Sequence, residues 1–334
     1  MQSVELFRPK IEQELERIVN DAIEDEYSLL RSMLAYHLGW EGDGAGLRAQ
    51  GKRIRPVMLL LCAMAAGGDW QPVLPAAAGV ELLHNFSLIH DDVEDGGELR
   101  HGRPTVWVKW GVPQAINAGD LMFTLANVAI LRLRTAFPAG KVLQAQELFQ
   151  QTCVHLTEGQ FLDMWYEAQG ELPLTAYWSM VAGKTAALLA CCAEMGSMLG
   201  GADEAEQKKF RNFGHLLGMA FQVQDDYLGI WGESDLMGKS TSSDLFTRKK
   251  TLPVLYGLQQ KGGFAARWQA GRISEGDIPF LAQLLEEEGG REYAHTTSVD
   301  FTERALAALF EAVGDEPSGA ALHQLASQLL GRRL

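Results

Sequence analysis

The 334-residue chain is poor in cysteine and in positive charge. None of its four cysteines forms a CxxC pair, and each lies in an apolar stretch, which indicates buried thiols in a reducing compartment rather than disulfides or a zinc site. Only 29 lysine and arginine residues face 43 aspartate and glutamate residues. The resulting net charge of −14 disfavours binding to nucleic acid or to an anionic membrane surface.

Long apolar runs are also missing. The longest, residues 57–66, is far shorter than the ~20 residues that a membrane helix needs. The N-terminal segment carries charged residues from its start and does not look like a targeting signal. We therefore expect a cytoplasmic protein without stable membrane insertion. Its composition, 47% hydrophobic and 22% charged, is typical of a chain that folds around a sizeable core.

Alternating strand patterns are almost absent, whereas helical periodicity runs through the chain. Apolar residues recur every three to five positions between Val4 and Ile23, and glycine or proline separates the later helical stretches. Those stretches are predicted at 53–67, 74–95, 113–134, 142–168, 173–200, 203–231, 251–260, 274–288, 290–313 and 318–331. Because no linker is long enough to divide two domains, the sequence predicts one all-α domain over residues 1–334.

An acidic cluster ends the apolar helix predicted at 74–95. Asp91 and Asp95 are four residues apart and project from one helix face, with Asp92 between them. Two carboxylates placed in this way repel each other, and they lie at the helix end that disfavours anions. A divalent cation between them would remove both costs, and Mg²⁺ suits such oxygen ligands. A solvated acidic helix end is the alternative that this cluster alone leaves open.

A second apolar helix repeats the arrangement with Asp225 and Asp226. Gln222 lies one turn earlier and could hold a metal-bound water. Two acid pairs about 130 residues apart, each late in a helix, are hard to explain as solvated surface residues. If the two helices pack side by side, the pairs can face each other across a cavity. Several Mg²⁺ ions could then hold one diphosphate between them.

Basic residues occur where a diphosphate would need them. Lys52 and Arg55 are three residues apart at the start of a predicted helix, and a helix N-terminus favours phosphate. A solvated basic patch is the alternative for these two residues. The remaining candidates are Arg100 and His101 after the first acidic cluster, Lys184 and Thr185 inside an apolar helix, and Lys239 in the polar segment 232–250.

Seven motifs occur in one order along the chain, and together they are specific. They are GKRIRP (51–56), LLHNFSLIHDDVED (82–95), LRHGRPT (99–105), GQxxD (159–163), GKTAALL (183–189), FQVQDDYLGIWG (221–232) and GKS…SDL…KKTLP (238–253). In this order they resemble the trans-isoprenyl diphosphate synthases, the polyprenyl synthetase family. The resemblance implies an isoprenoid synthase fold, a helical bundle around a central cavity.

The same resemblance implies a Mg²⁺-dependent trans-prenyltransferase that condenses isopentenyl diphosphate head to tail with an allylic diphosphate. Three Mg²⁺ per active site are implied, bound by Asp91, Asp95 and Asp225, with Asp92, Asp226 and Gln222 in support. The allylic diphosphate would be contacted by Arg100, Lys184 and Lys239, with Thr185 beside Lys184. The diphosphate of isopentenyl diphosphate would be held by Lys52, Arg55 and His84, and Gln160 and Asp163 would lie along the pocket wall.

Two positions depart from the family pattern. His101 stands where the family usually has a second arginine, and the charge of a histidine depends on pH. Gly229 stands where the second motif often has its last aspartate. Because the first aspartate of that motif normally carries the metal contact, we expect activity to survive the second departure.

Product length is read from the helix that carries Asp91. Phe86 lies five residues earlier, roughly 7.5 Å along the helix axis. In related synthases a bulky residue here limits the product, whereas a small neighbour, here Ser87, leaves room. The first motif also lacks a two-residue insertion found in many farnesyl-type bacterial enzymes. These features favour a C20 product, geranylgeranyl diphosphate, with C15 farnesyl diphosphate next, although Phe86 could simply pack in the core.

Three other functions are alternatives to prenyl diphosphate synthesis. A terpene cyclase shares the fold and the first acidic motif. It would not need a second diphosphate site, which the motif GKRIRP indicates here. A non-catalytic partner subunit tends to lose the aspartates, which are intact here. A head-to-head condensing enzyme is the third alternative. The family resemblance also implies a homodimer.

Overall fold

The computed structural model describes residues 2–232, 243–314 and 319–331. Within these ranges the α-helices are α1 (Gln2–Ala22), α2 (Ser28–His37), α3 (Ile54–Ala65), α4 (Leu74–Glu94), α5 (Val106–Trp110), α6 (Val112–Leu131), α7 (Ala139–Glu167), α8 (Leu174–Val181), α9 (Ala187–Gly200), α10 (Glu204–Trp231), α11 (Ser243–Phe246), α12 (Leu252–Gln260), α13 (Gly263–Gln269), α14 (Ile278–Glu287), α15 (Gly290–Val313) and α16 (Ala320–Leu330). A π-helical turn, Ala182–Ala186, joins α8 to α9.

Every predicted helical stretch contains a helix, so the prediction of an all-α fold is confirmed. The stretch predicted at 173–200 is divided into α8, the π turn and α9. Three helices of five to ten residues, α2, α5 and α13, were not predicted, because so few residues give little periodicity. The described strands are β1 (Leu99–Arg100) and β2 (Arg103–Pro104), which form a short antiparallel hairpin.

The described residues divide into two compact units, and the first contains residues 2–149, 192–207 and 319–322. In this unit α4 packs along α6 and also contacts α1 and α3. The predicted apolar face of α1 is buried, since Phe7, Ile11, Leu15 and Ile18 are at most 1% exposed. The unit therefore surrounds α4, the helix whose last turn carries the first acidic cluster.

The second unit contains residues 150–191, 208–232, 243–314 and 323–331. One of its core clusters joins α8, the π turn, α10 and α12 through residues that include Tyr177, Val181 and Val223. Another joins the end of α10 to α11 and α14 through Ile230, Leu245 and others. The second acidic motif, on α10, is thus held between two cores. The prediction of one domain over residues 1–334 stays a prediction.

Two helical segments are long and apolar enough to cross a membrane by length and composition, Gln71–Glu94 and Val112–Thr135. In the first, 67% of the apolar window is buried inside the protein, and in the second 44%. Core helices of globular proteins meet the same criterion, so the segments do not indicate a membrane by themselves. All four cysteines are free thiols; Cys62, Cys191 and Cys192 are buried as predicted, whereas Cys153 is only half-buried.

Candidate active site

The first acidic cluster lies at the end of α4, where the chain turns away from the helix. Gly96 has a positive φ of 64°, and the Gly97 N–H donates to the Asp92 carbonyl at 2.9 Å. This is the hydrogen-bond pattern of a glycine-terminated helix. It leaves Asp95 exposed and Asp91 half-buried on one face, as their spacing predicted.

Asp92 points the other way and is buried. The Arg100 guanidinium donates to both of its carboxylate oxygens, from Nε at 3.0 Å and from Nη2 at 2.8 Å. Such a bidentate pair is strong and fixes direction. Asp92 therefore holds Arg100 in place beside the end of α4, and Arg100 stays half-buried with part of its surface open to solvent.

The hairpin β1–β2 presents His101 at its tip. His101 and Gly102 both have positive φ, 53° and 76°, as the two central residues of a type I′ hairpin turn require. A Cβ atom on Gly51 would lie 3.9 Å from His101 Nε2. The hairpin tip therefore lies against the loop that carries the exposed residue Lys52.

Arg103 fixes the base of this hairpin. Its guanidinium donates to the backbone carbonyls of Tyr36, Glu41 and Asp43 at 2.6 to 2.8 Å, and it stacks on the Tyr36 ring at 4.0 Å. All its described contacts are therefore structural, although Arg103 belongs to the same motif as Arg100.

The basic hexamer 51–56 divides into buried and accessible cations. Arg53 is 3% exposed and makes ion pairs with Glu12 and Glu81, both at 2.7 Å. Arg53 precedes α3 with a left-handed φ of 50°. Sequence reasoning did not identify this role. The only available signal was Glu81, a single acid in the apolar part of α4.

Helix α1 supports the loop that leads into this hexamer. Arg8 Nη2 donates to the carbonyls of Leu47 and Gly51, each at 3.0 Å. Glu12, the partner of Arg53, also accepts a hydrogen bond from the indole of Trp40 at 2.7 Å. The loop is thus tied to α1 by two side chains one turn apart.

Arg55 and His84 are in direct contact. Arg55 Nη1 lies 3.1 Å from His84 Nε2. Because arginine can only donate, this ring nitrogen must accept, which requires a neutral imidazole protonated at Nδ1. Burial, followed by the charges of Arg55 and Arg100, lowers the pKa of His84 well below its usual value and so favours that form. The first unit thus brings together the predicted residues Lys52, Arg55, His84, Arg100 and His101.

Phe86 lies at the contact between α4 and α6. Its ring packs against Phe123 with a centroid distance of 5.0 Å and against His90 at 4.8 Å. A Cβ atom on Gly119 would lie 2.3 Å from His90 Nε2, so this glycine makes room for the His90 ring against α6. Ser87 donates from its hydroxyl to the His84 carbonyl at 2.8 Å. Phe86 is half-buried, which leaves both core packing and a product stop open to it.

In the second unit, Asp226 is buried and fully engaged. Its Oδ2 accepts from the Tyr177 hydroxyl at 2.7 Å and from the Leu252 N–H at 2.9 Å, and its Oδ1 accepts from Gln222 Nε2 at 2.9 Å. Burial raises the pKa of Asp226 to about 7. The neighbouring residue Asp225 is half-buried and has the more accessible carboxylate.

The π turn places two predicted residues beside this network. Thr185 Oγ1 donates to Gln222 Oε1 at 2.8 Å, and Lys184 Nζ donates to Asp163 Oδ2 at 2.5 Å. Gln160 is half-buried on α7, one turn before Asp163. The second unit thus brings together Asp163, Lys184, Thr185, Gln222 and Asp226.

Gly229 packs against a carboxylate. A Cβ atom there would lie 2.4 Å from Asp244 Oδ2, so α11 brings an acid to the position where the family often has its third aspartate. Lys239, predicted to contact the allylic diphosphate, lies outside the described residues.

Each unit offers oxygen ligands of the kind that a hard divalent cation takes. Asp91, Asp95 and Asp225 offer carboxylate oxygens, which Mg²⁺ prefers. In the part of the chain that the structure describes, no three His, Cys, Asp or Glu side chains form a group that could hold a metal ion. Mg²⁺ usually keeps several waters and takes further ligands from substrate phosphates.

Comparison with known proteins identifies the family. Residues 45–270, more than half of the chain, match the Polyprenyl synthetase family. The chain belongs to the polyprenyl synthetase family. A geranylgeranyl diphosphate synthase of Mycobacterium tuberculosis is 39% identical over 92% of this chain and 89% of its own length. A (2E,6E)-farnesyl diphosphate synthase of the same species is 38% identical over 79% of this chain and 76% of its own.

Solved structures show the same fold. The geranylgeranyl pyrophosphate synthetase from Pyrococcus horikoshii superposes with a TM-score of 0.89 at 30% identity and covers 99% of both chains. A polyprenyl synthase from Caulobacter crescentus, complexed with calcium and isoprenyl diphosphate, superposes at 0.83 with 25% identity, covering 100% of this chain and 98% of its own. The predicted family, isoprenoid synthase fold and trans-prenyl diphosphate synthase activity are confirmed.

Proposed function

We propose that this chain condenses isopentenyl diphosphate head to tail with dimethylallyl, geranyl and farnesyl diphosphate to form all-trans geranylgeranyl diphosphate. The observation that carries the C20 assignment is the 39% identity over 92% of the chain to a geranylgeranyl diphosphate synthase. A C15 product is the second candidate, because a farnesyl diphosphate synthase is almost as similar. The position of Phe86 against Phe123 supports a wall between α4 and α6 that limits chain length.

The proposed residue roles follow the two units. In the first, Lys52, Arg55, His84 and His101 bind the diphosphate of isopentenyl diphosphate. The neutral His84 ring is oriented by Arg55, and it can donate to phosphate from Nδ1. In the second, Lys184 leaves Asp163 to bind the allylic diphosphate, with Thr185 and Gln160 beside it. The accessible position of Lys184, 25% exposed, supports this exchange.

Asp91, Asp95 and Asp225 would hold the three Mg²⁺ ions expected in the active site. Bound Mg²⁺ neutralises charge that develops on the diphosphate leaving group. Asp92 orients Arg100 toward the charge on the diphosphate leaving group. Asp226 and Gln222 are hydrogen-bonded to each other and fix the helix turn that carries Asp225. The apolar side chains of α4 and α6 exclude water from the allylic cation. The departed diphosphate then accepts the proton that the new product loses.

We also propose a cytoplasmic homodimer. Four apolar side chains of α6 are 37–49% exposed, which supports a dimer interface with a second copy on this helix: Val112, Ile116, Val128 and Leu131. The free thiols support a reducing compartment. Light scattering of the purified protein at micromolar concentration tests the dimer, and a monomer mass would contradict it.

Product analysis tests the catalytic proposal. The purified protein is incubated with labelled isopentenyl diphosphate, Mg²⁺ and each allylic primer, and products are separated by chain length after dephosphorylation. We expect a C20 alcohol from all three primers, and turnover lowered by orders of magnitude in D91A and D225A. A cyclic hydrocarbon, no consumption of isopentenyl diphosphate, or near-normal rates in either variant would contradict the proposal.

A further inference from the structure

Two glycines of the second unit lie against the π turn Ala182–Ala186, Gly159 from α7 and Gly218 from α10. A Cβ atom on Gly159 of α7 would lie 2.1 Å from the backbone nitrogen of Lys184. A Cβ atom on Gly218 of α10 would lie 2.5 Å from Ala186 Cα. Real Cβ atoms essentially never come this close to backbone atoms. Neither position can therefore accept a side chain unless the π turn moves.

Each glycine precedes a hydrogen-bonding residue by one helical turn. Gly159 is four residues before Asp163, which accepts from Lys184 at 2.5 Å. Gly218 is four residues before Gln222, which accepts from Thr185 at 2.8 Å. Residues four apart lie on the same helix face. On each of the two helices, the glycine contacts the backbone of the π turn, and the residue four positions later hydrogen-bonds to a side chain of the π turn.

We propose that Gly159 and Gly218 are positioning residues that set where the π turn presents Lys184 and Thr185 to the allylic diphosphate. π turns inside helices are rare and frequently mark functional sites. Because the contacts are between backbones, the position of the turn does not depend on side-chain rotamers. The inference rests on the proposed function, in which Lys184 binds the allylic diphosphate.

The test compares G159A with a matched control, G214A. Gly214 also approaches a backbone too closely for a side chain, with its Cβ position 2.5 Å from the Leu189 carbonyl oxygen, but it contacts α9 beyond the π turn. Misplacing a binding group by about 1 Å can lower a rate about 10²-fold. We expect G159A to raise the KM for the allylic diphosphate about tenfold or more and to change the KM for isopentenyl diphosphate less than about twofold. G214A should lower the Tm comparably without this selective change.

A double-mutant cycle with K184A separates positioning from general destabilisation. If Gly159 acts through Lys184, G159A should add no further increase in allylic KM in the K184A background. Additive effects, an unchanged allylic KM in folded G159A, or an equal selective change in G214A would overturn the proposal. If G159A does not fold, G218A is measured in the same way, with T185V as the background.

The wild-type protein is assayed first with both substrates. An inactive wild type would overturn the proposed function and this inference with it. An active wild type together with an unselective G159A would overturn the inference alone.

Discussion

Replacing Gly229 with aspartate is expected to destabilise the protein, although this substitution restores a residue common in the second motif of the family. The Cβ position of Gly229 is 2.4 Å from Asp244 Oδ2 and 3.2 Å from its Cγ. The backbone of Asp244 is held in place, so only rotation of its side chain could relieve this contact. The next residue, Leu245, is fully buried, and the Asp244 carbonyl accepts from the Lys249 N–H at 2.9 Å.

The magnitude has a steric part and an electrostatic part. Forcing extra atoms into a packed position typically costs about 1–3 kcal/mol. Two unit charges about 4 Å apart repel by about 4 kcal/mol at an effective dielectric constant of 20. Both positions are half-buried, so solvent screens part of that repulsion. We expect G229A, which adds only the steric part, to lose about 1–3 kcal/mol of unfolding free energy, and G229D to lose about 2–5 kcal/mol.

Urea denaturation of G229A, G229D, D244A and the double variant G229D/D244A measures these terms. D244A removes both the contact and the charge, so G229D should cost at least about 1 kcal/mol less in its presence. Gly140 provides a control, because a Cβ atom there would have no neighbour within 4 Å and G140A should not destabilise. A G229D variant as stable as the wild type, or one equally destabilised with and without Asp244, would refute the reasoning.

The remaining predictions concern product length, substrate affinity and pH. F86A removes the ring that packs on Phe123 and should lengthen the product, as measured by chromatography of the dephosphorylated alcohols. H101R places a permanent charge at the hairpin tip and should lower the KM for isopentenyl diphosphate and flatten its pH dependence. Because burial raises the pKa of Asp226 to about 7, ionising it in the folded state is unfavourable. Stability should fall by up to about 4 kcal/mol between about pH 4 and pH 7, and D226N should lack this loss.

Each of these predictions has a contradicting outcome. F149A, which removes a buried ring of the same unit, is a control for F86A. If both variants give the same products, Phe86 does not limit chain length. Equal KM values for wild type and H101R at pH 6 and pH 8 would show that His101 does not touch the diphosphate. Parallel stability curves for wild type and D226N would show that another group titrates.

Spacing along the sequence predicted which acids share a helix face. Asp91 and Asp95 are four residues apart and are the accessible pair, whereas Asp92, one position on, turns inward to Arg100. Helical periodicity also located the long helices, because their apolar faces repeat over several turns. These features depend only on local geometry, so the sequence alone could predict them.

Features that depend on distant segments could not be predicted. Arg53 looked like Arg55 in the sequence, and only the positions of Glu12 and Glu81 show that it is structural. Tyr177 belongs to no recognised motif, yet its hydroxyl donates a hydrogen bond to Asp226. The π turn was not predicted either, because the stretch 173–200 reads as one continuous helix, and the glycines of α7 and α10 that lie against the turn are distant in sequence.

The ties between α1 and the 47–53 loop make the first helix a support for the residues proposed to bind isopentenyl diphosphate. Arg8 holds the carbonyls that precede Lys52, and Glu12 neutralises the arginine between Lys52 and Arg55. A chain shortened to begin after Ala22 would retain every motif residue, but the buried Arg53 would keep only one of its two acids. Removing α1 would therefore loosen the loop that carries Lys52, which the proposed function assigns to isopentenyl diphosphate.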